Sequence, residues 1–169
     1  MSGAAVPRVV VVTVSDRAAA GRYEDRSGPL LAELAAEAGC AVDGPWVVPD
    51  GEPVTEALRR ALAEGYDAAL TTGGTGLAPR DATPEATRPL LEYEIPGLAE
   101  ALRAAGRDKG VATAVLSRGL AGVARLGGHR MLVVNLPGST GGVRDGMAVL
   151  GPVLAHAVAQ MRGGDHARP

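Results

Sequence analysis

Phenylalanine is missing from this 169-residue chain, and all aromatics together make up only 2% of it. A core without aromatics has to be filled by Val, Leu and Ala, which belong to the 46% hydrophobic share. There is one cysteine, Cys40, which excludes an intramolecular disulfide and any multi-thiolate metal site within one chain. No apolar run reaches the roughly 18 residues that a membrane-spanning helix needs. Cationic excess is absent too: the formal net charge is −2 and the sequence pI is near 5.9. That argues against nucleic acid as a partner, since such binding needs a basic stripe, but it leaves room for a small basic pocket. Met1 to Pro7 lacks a basic region followed by an apolar stretch, so the expectation is a cytoplasmic protein.

The length predicts a single domain over 1–169, with 1–7 and 162–169 as loose tails. Arg8 to Ser15 reads RVVVVTVS, a β-branched run without polar alternation, as in a strand buried on both faces. Ala41 to Val48 is a second strand, weakened by Gly44 and Pro45. Asp67 to Thr72 is a third, and Met131 to Leu136 a further buried one. Helices are predicted between them. One is capped by Ser27 and stopped by Gly39, one covers about Pro53 to Glu64, and one is capped by Thr83 with Pro84 in its first turn. Two more cover Leu98 to Ala105 and Val143 to Met161. Gly110 to Gly128 carries no clear pattern. The alternation of strands and helices predicts an α/β fold, a mostly parallel sheet with helices on both faces.

In such sheets ligands bind outside the carboxyl ends of the strands. Four polar or glycine-rich segments follow predicted strand ends there: Ser15-Asp16-Arg17, Pro49-Asp50-Gly51, Gly73 to Asp81, and Asn135 to Ser139. Gly73, Gly74 and Gly76 let the backbone turn sharply and approach an anion, and bare N–H groups in such a loop form an anion-binding concavity. No Gly-Lys-Ser/Thr follows, so this is not a Walker loop. A tight turn without ligand fits the same glycines. Asp81 and Asp50 are carboxylates suited to a magnesium nucleotide; each also reads as a loop or cap residue satisfying nearby N–H groups. Arg80 could pair with Asp81 or with phosphate. Ser15 and Arg17 could grip phosphate or simply face solvent. Asn135, an amide inside an apolar strand, needs partners and either ties loops together or faces a ligand. His129, His156 and His166 lack metal-ligand spacing.

These segments resemble the MogA/MoaB group of molybdenum cofactor biosynthesis proteins, also found as the G domain of gephyrin. The matching stretches are TVSDRAAAGRYEDRSGP (Thr13 to Pro29), VPDG (Val48 to Gly51), TTGGTGLAPRDATPEA (Thr71 to Ala86), IPGLAEALR (Ile95 to Arg103), AVLSRGLAG (Ala114 to Gly122) and VVNLPGS (Val133 to Ser139). The resemblance implies a three-layer αβα sandwich, usually a homotrimer. It also implies Mg²⁺-dependent transfer of AMP from ATP to molybdopterin with release of pyrophosphate, and a downstream molybdate-insertion protein as partner. It implies that Asp50 and Asp81 are the catalytic and metal-facing carboxylates. Gly73, Gly74, Thr75 and Gly76 would line the nucleotide site, and Ser15, Arg17, Ser117, Asn135, Pro137, Gly138 and Ser139 the shared nucleotide and pterin crevice. Members of the group often carry a Lys shortly after NLPG; here Thr140-Gly141-Gly142 follows Ser139. A non-catalytic molybdopterin-binding protein of the same pathway is the alternative reading.

Overall fold

The computed structural model describes residues 5–164. Six strands form one sheet in the order β2-β1-β3-β6-β5-β4. They are β1 (Arg8–Val14), β2 (Ala41–Val48), β3 (Ala68–Thr72), β4 (Leu91–Glu94), β5 (Ala121–Leu126) and β6 (His129–Leu136). The first four in that order run parallel, while β5 is antiparallel to both β6 and β4. The apolar run of β1 is buried on both faces because side chains alternate across the pleat. Val9 and Val11 pack on one side with Leu31, Ala35, Leu150 and Leu154. Val10 and Val12 pack on the other with Val54, Leu58, Ala61 and Leu62. The first set comes from α2 (Ser27–Glu37) and α6 (Thr140–Met161), joined on that face by α5 (Pro96–Asp108); the second comes from α3 (Glu52–Ala63). The result is the three-layer αβα arrangement with a mostly parallel sheet.

Two short helices complete the chain, α1 (Asp16–Ala19) after β1 and α4 (Thr83–Thr87) after the glycine-rich loop. Neither Ser27 nor Thr83 caps its helix. Ser27 is the first residue of α2, and the Gly28 N–H is met instead by Asp25 Oδ1 at 2.9 Å. Thr83 is the first residue of α4, and its hydroxyl donates backwards to the Gly73 carbonyl at 2.9 Å. β2 survives its Gly44-Pro45 pair as an edge strand whose register slips opposite Val10 to Val12. The uninformative stretch 110–128 contains a 3₁₀ turn (Ala112–Leu116) and β5. β4 was not expected at all. It is only four residues, and three of them are exposed.

Of the tails expected to be loose, 1–4 and 165–169 lie outside the described residues. Within them, Arg162 donates to both carboxylate oxygens of Asp67 (3.0 and 2.6 Å) and to the Ala5 carbonyl (2.7 Å). Asp67 also accepts the Arg8 N–H at 2.8 Å, so one buried carboxylate ties the start of β1 to the end of α6.

Candidate functional site

The chain leaves β1 for β2 on one side of it and later enters β3 on the other. The carboxyl ends of β1 and β3 are therefore the point where the strand order reverses, the usual ligand crevice of such sheets. Backbones approach closely there. Gly73 has φ +103°, and a Cβ on it would sit 2.2 Å from the Val14 carbonyl oxygen, so only glycine fits. Its N–H donates to Leu136 O at 3.1 Å, and Thr72 Oγ1 donates to Pro137 O at 2.7 Å. The ends of β1, β3 and β6 are thereby fastened into one lip.

Asp50 and Asp81 both reach the glycine-rich loop at this lip. Asp50 Oδ1 accepts the N–H groups of Gly51 and Ala82, both at 2.9 Å. A Cβ on Gly74 would lie 2.4 Å from Asp50 Oδ2, and one on Gly76 would lie 2.7 Å from Asp81 Oδ2. Both carboxylates thus face bare Cα positions of one glycine-rich loop. Burial pushes the Asp50 carboxyl above the ordinary range. The Ala82 and Gly51 N–H groups pull it down, and the charges of Asp81 and Asp16 push it up. Asp16, named with Ser15 and Arg17 at the strand end but given no role there, accepts the Asp50 N–H on its Oδ1 at 3.0 Å. Its Oδ2 pairs with Arg80 Nε at 2.6 Å, so Arg80 serves Asp16 rather than Asp81.

Among the described residues no three His, Cys, Asp or Glu side chains are grouped to hold a metal ion. Magnesium commonly takes one or two carboxylates together with substrate phosphates and water. Asp50 and Asp81, turned toward the same loop, fit a metal that arrives with a nucleotide.

Two hollows open beside the lip. One, of about 480 Å³, is bounded by Thr75, Gly76, Leu77, Leu102, Val111, Leu116, Ser117, Asn135, Pro137 and Asp145, among others. Its predominantly apolar wall suits a flat heterocycle. The other, of about 440 Å³, is bounded by Thr13, Ser15, Arg17, Asp25, Arg26, Gly138 and Thr140 among others. Its hydroxyls and guanidinium groups suit phosphate oxygens. Ser139 lines both hollows.

Individual side chains carry different duties. Ser15 caps α1, its Oγ accepting from Ala18 N at 3.2 Å. Arg17 is exposed and lies 4.9 Å from the Tyr23 ring centre. Ser139 caps α6 through the Gly142 N–H at 3.0 Å. Ser117 Oγ accepts the Gly119 N–H at 3.3 Å. Asn135 is 2% exposed; its amide donates to Thr71 and Thr87 hydroxyls at 3.1 and 3.2 Å and accepts from Leu120 N at 3.0 Å. These bonds tie β6 to β3, to α4 and to the turn before β5, and Asn135 also borders the apolar hollow. Thr75 is buried, and its carbonyl receives the Arg118 N–H at 2.8 Å. Arg118 went unnoticed in the sequence. It stands next to Ser117 in the SRGLAG stretch, but nothing in that spacing shows that it reaches the glycine-rich loop.

Residues 10–156 match the family described as "Probable molybdopterin binding domain". The chain belongs to that family. The MogA/MoaB fold extends across it: a molybdopterin biosynthesis Mog protein from Mycobacterium ulcerans superposes with a TM-score of 0.84 at 46% identity, covering 94% of this chain and 98% of that one. A molybdopterin adenylyltransferase from Pyrococcus furiosus is 38% identical over 153 residues, 90% of this chain and 89% of that protein. A molybdenum cofactor biosynthesis bifunctional protein from Synechococcus elongatus is 42% identical over 166 residues, 92% of this chain but 48% of that protein. The chain thus spans about half the length of some curated relatives it matches. No helix among its described residues is long and apolar enough to cross a membrane.

Proposed function

We propose that this molybdopterin-binding chain is a nucleotidyltransferase of molybdenum cofactor biosynthesis, moving AMP from ATP to the terminal phosphate of molybdopterin. A phosphate oxygen of molybdopterin attacks the α-phosphorus of ATP. The new P–O bond forms as the bond to the β-phosphate oxygen breaks, and pyrophosphate leaves. The observation that carries this reading is the placement of Asp50 and Asp81 against Gly74 and Gly76 of one glycine-rich loop. The two hollows that meet at Ser139 add to it.

Such chemistry asks the protein to align two phosphates and to neutralise charge, and needs no Ser, Cys or His nucleophile. Mg²⁺, held by Asp50 and Asp81 with the phosphates, would supply the neutralising charge. Gly73, Gly74, Thr75 and Gly76 offer the backbone that the nucleotide approaches. Ser15, Arg17, Gly138 and Ser139 offer donors to phosphate, while Ser117, Asn135 and Pro137 border the apolar hollow. The protein acts in the cytoplasm as a homotrimer and passes its product to a molybdate-insertion protein.

The test is anaerobic incubation with ATP and Mg²⁺, with and without molybdopterin. Pyrophosphate should appear only when the pterin is present. Release without pterin would point to a hydrolase instead, and pterin binding with no release to a module that only holds it.

A further inference from the structure

The glycine-rich loop leaves β3 and reaches α4 through Leu77 to Arg80, all four exposed. Within that segment Asp81 is held by one turn bond, its N–H donating to the Ala78 carbonyl at 2.9 Å, and a five-residue helix follows it. The hold on its carbonyl comes from a residue 37 positions away in sequence. Arg118 donates its backbone N–H to Thr75 O at 2.8 Å, its Nε to Gly76 O at 2.9 Å, and its Nη2 to Asp81 O at 2.9 Å. Its remaining Nη1 is paired with the Glu85 carboxylate on α4. One planar guanidinium therefore bridges carbonyls at both ends of the 76–81 segment, a geometry that a single ammonium point charge cannot reproduce.

A trans peptide points its carbonyl and the following N–H in opposite directions. Fixing the Asp81 carbonyl therefore also aims the Ala82 N–H, and that N–H is one of the two donors on Asp50 Oδ1, at 2.9 Å. The chain of contacts runs from Arg118 through the Asp81–Ala82 peptide to Asp50. We propose that Arg118 is a positioning residue that fixes both carboxylates relative to the loop, Asp81 through its own backbone and Asp50 through the Ala82 N–H. This rests on the adenylyl-transfer reading for its effect on rate, but not for its effect on loop order.

Arg118→Gln, Arg118→Lys and Glu85→Gln form the test, each with two measurements. The first is amide hydrogen exchange at Ala82, which needs no substrate. It should quicken at least about 10-fold in Arg118→Gln, as local opening becomes easier. The second is steady-state kinetics. In Arg118→Gln, kcat should fall roughly 10- to 100-fold with the ATP KM changed less than about 3-fold, as expected for misplacement of groups without loss of substrate contact. Arg118→Lys should lose nearly as much, since it reaches only one carbonyl. Glu85→Gln should keep kcat within about 3-fold because both carbonyl bonds remain.

Unchanged exchange at Ala82 would overturn the proposal. So would full activity in Arg118→Lys, a loss in Glu85→Gln equal to that in Arg118→Gln, or a rise in ATP KM with kcat intact, which would mean direct contact with nucleotide. A parent protein without turnover defeats the adenylyl-transfer reading, and the exchange rates then decide the bracing alone.

Discussion

Gly76→Ala separates the site from the fold. Gly76 is not among the glycines with positive φ, so alanine suits its backbone and by itself would stabilise by roughly 0.4–1 kcal/mol through the unfolded chain. What alanine cannot do is leave Asp81 where it is, because its Cβ would lie 2.7 Å from Asp81 Oδ2. The carboxylate must retreat by about half an ångström or more to reach an ordinary contact. A displacement approaching 1 Å at a catalytic group costs up to roughly 10²-fold. The variant should therefore melt within about 3 °C of the parent while kcat drops roughly 10- to 100-fold. Gly73→Ala gives the opposite pattern. Its φ of +103° and the Val14 oxygen 2.2 Å from the new Cβ leave no side chain free to yield. Strain and overpacking together cost about 2–5 kcal/mol, or roughly 5–15 °C in Tm. Melting by circular dichroism and turnover under one buffer decide the matter. Parent-like turnover in Gly76→Ala would show that Asp81 need not stay in place, and equal Tm losses in the two variants would show that Gly76 and Gly73 serve the fold alike.

Asp50→Asn should keep both Oδ1 hydrogen bonds and lose turnover. The parent's Asp50 holds its proton more tightly when folded, so its charge costs stability as pH rises from the unfolded value through the folded one. The variant's stability relative to the parent should therefore grow across that rise and stay level above it, in urea titrations at successive pH values. Asn135→Ala strands two threonine hydroxyls and the Leu120 N–H, and should lower unfolding free energy by about 2–4 kcal/mol with an unchanged urea slope. Arg162→Ala removes the fork from the 8% exposed side chain of Asp67 and should cost roughly 1–3 kcal/mol, measured in the same way.

The buried strands were legible because a parallel sheet covered on both faces leaves an unmistakable run of Val and Leu, as in β1 and β6. The carboxyl-edge crevice followed from where those runs stop, and its glycines were visible as glycines. β4 was not legible: four residues, mostly exposed, carry almost no periodicity. Ser27 and Thr83 look like caps by identity, but other partners decided otherwise: neighbouring Asp25 meets the start of α2, and the Gly73 carbonyl, ten positions back, takes the Thr83 hydroxyl. The bridge from Arg118 and the Asp16–Arg80 pair join residues dozens of positions apart, and no local pattern encodes them.

The adenylyl-transfer role proposed for Asp81 and Asp50 is tested by an anaerobic reaction of parent protein and Asp81→Asn with molybdopterin, ATP and Mg²⁺, following adenylylated molybdopterin by chromatography. The parent should form the product, and the folded variant should form it roughly 10²-fold more slowly or worse, the usual scale for losing one electrostatic group. Near-parental product formation by Asp81→Asn would remove Asp81 from the chemistry.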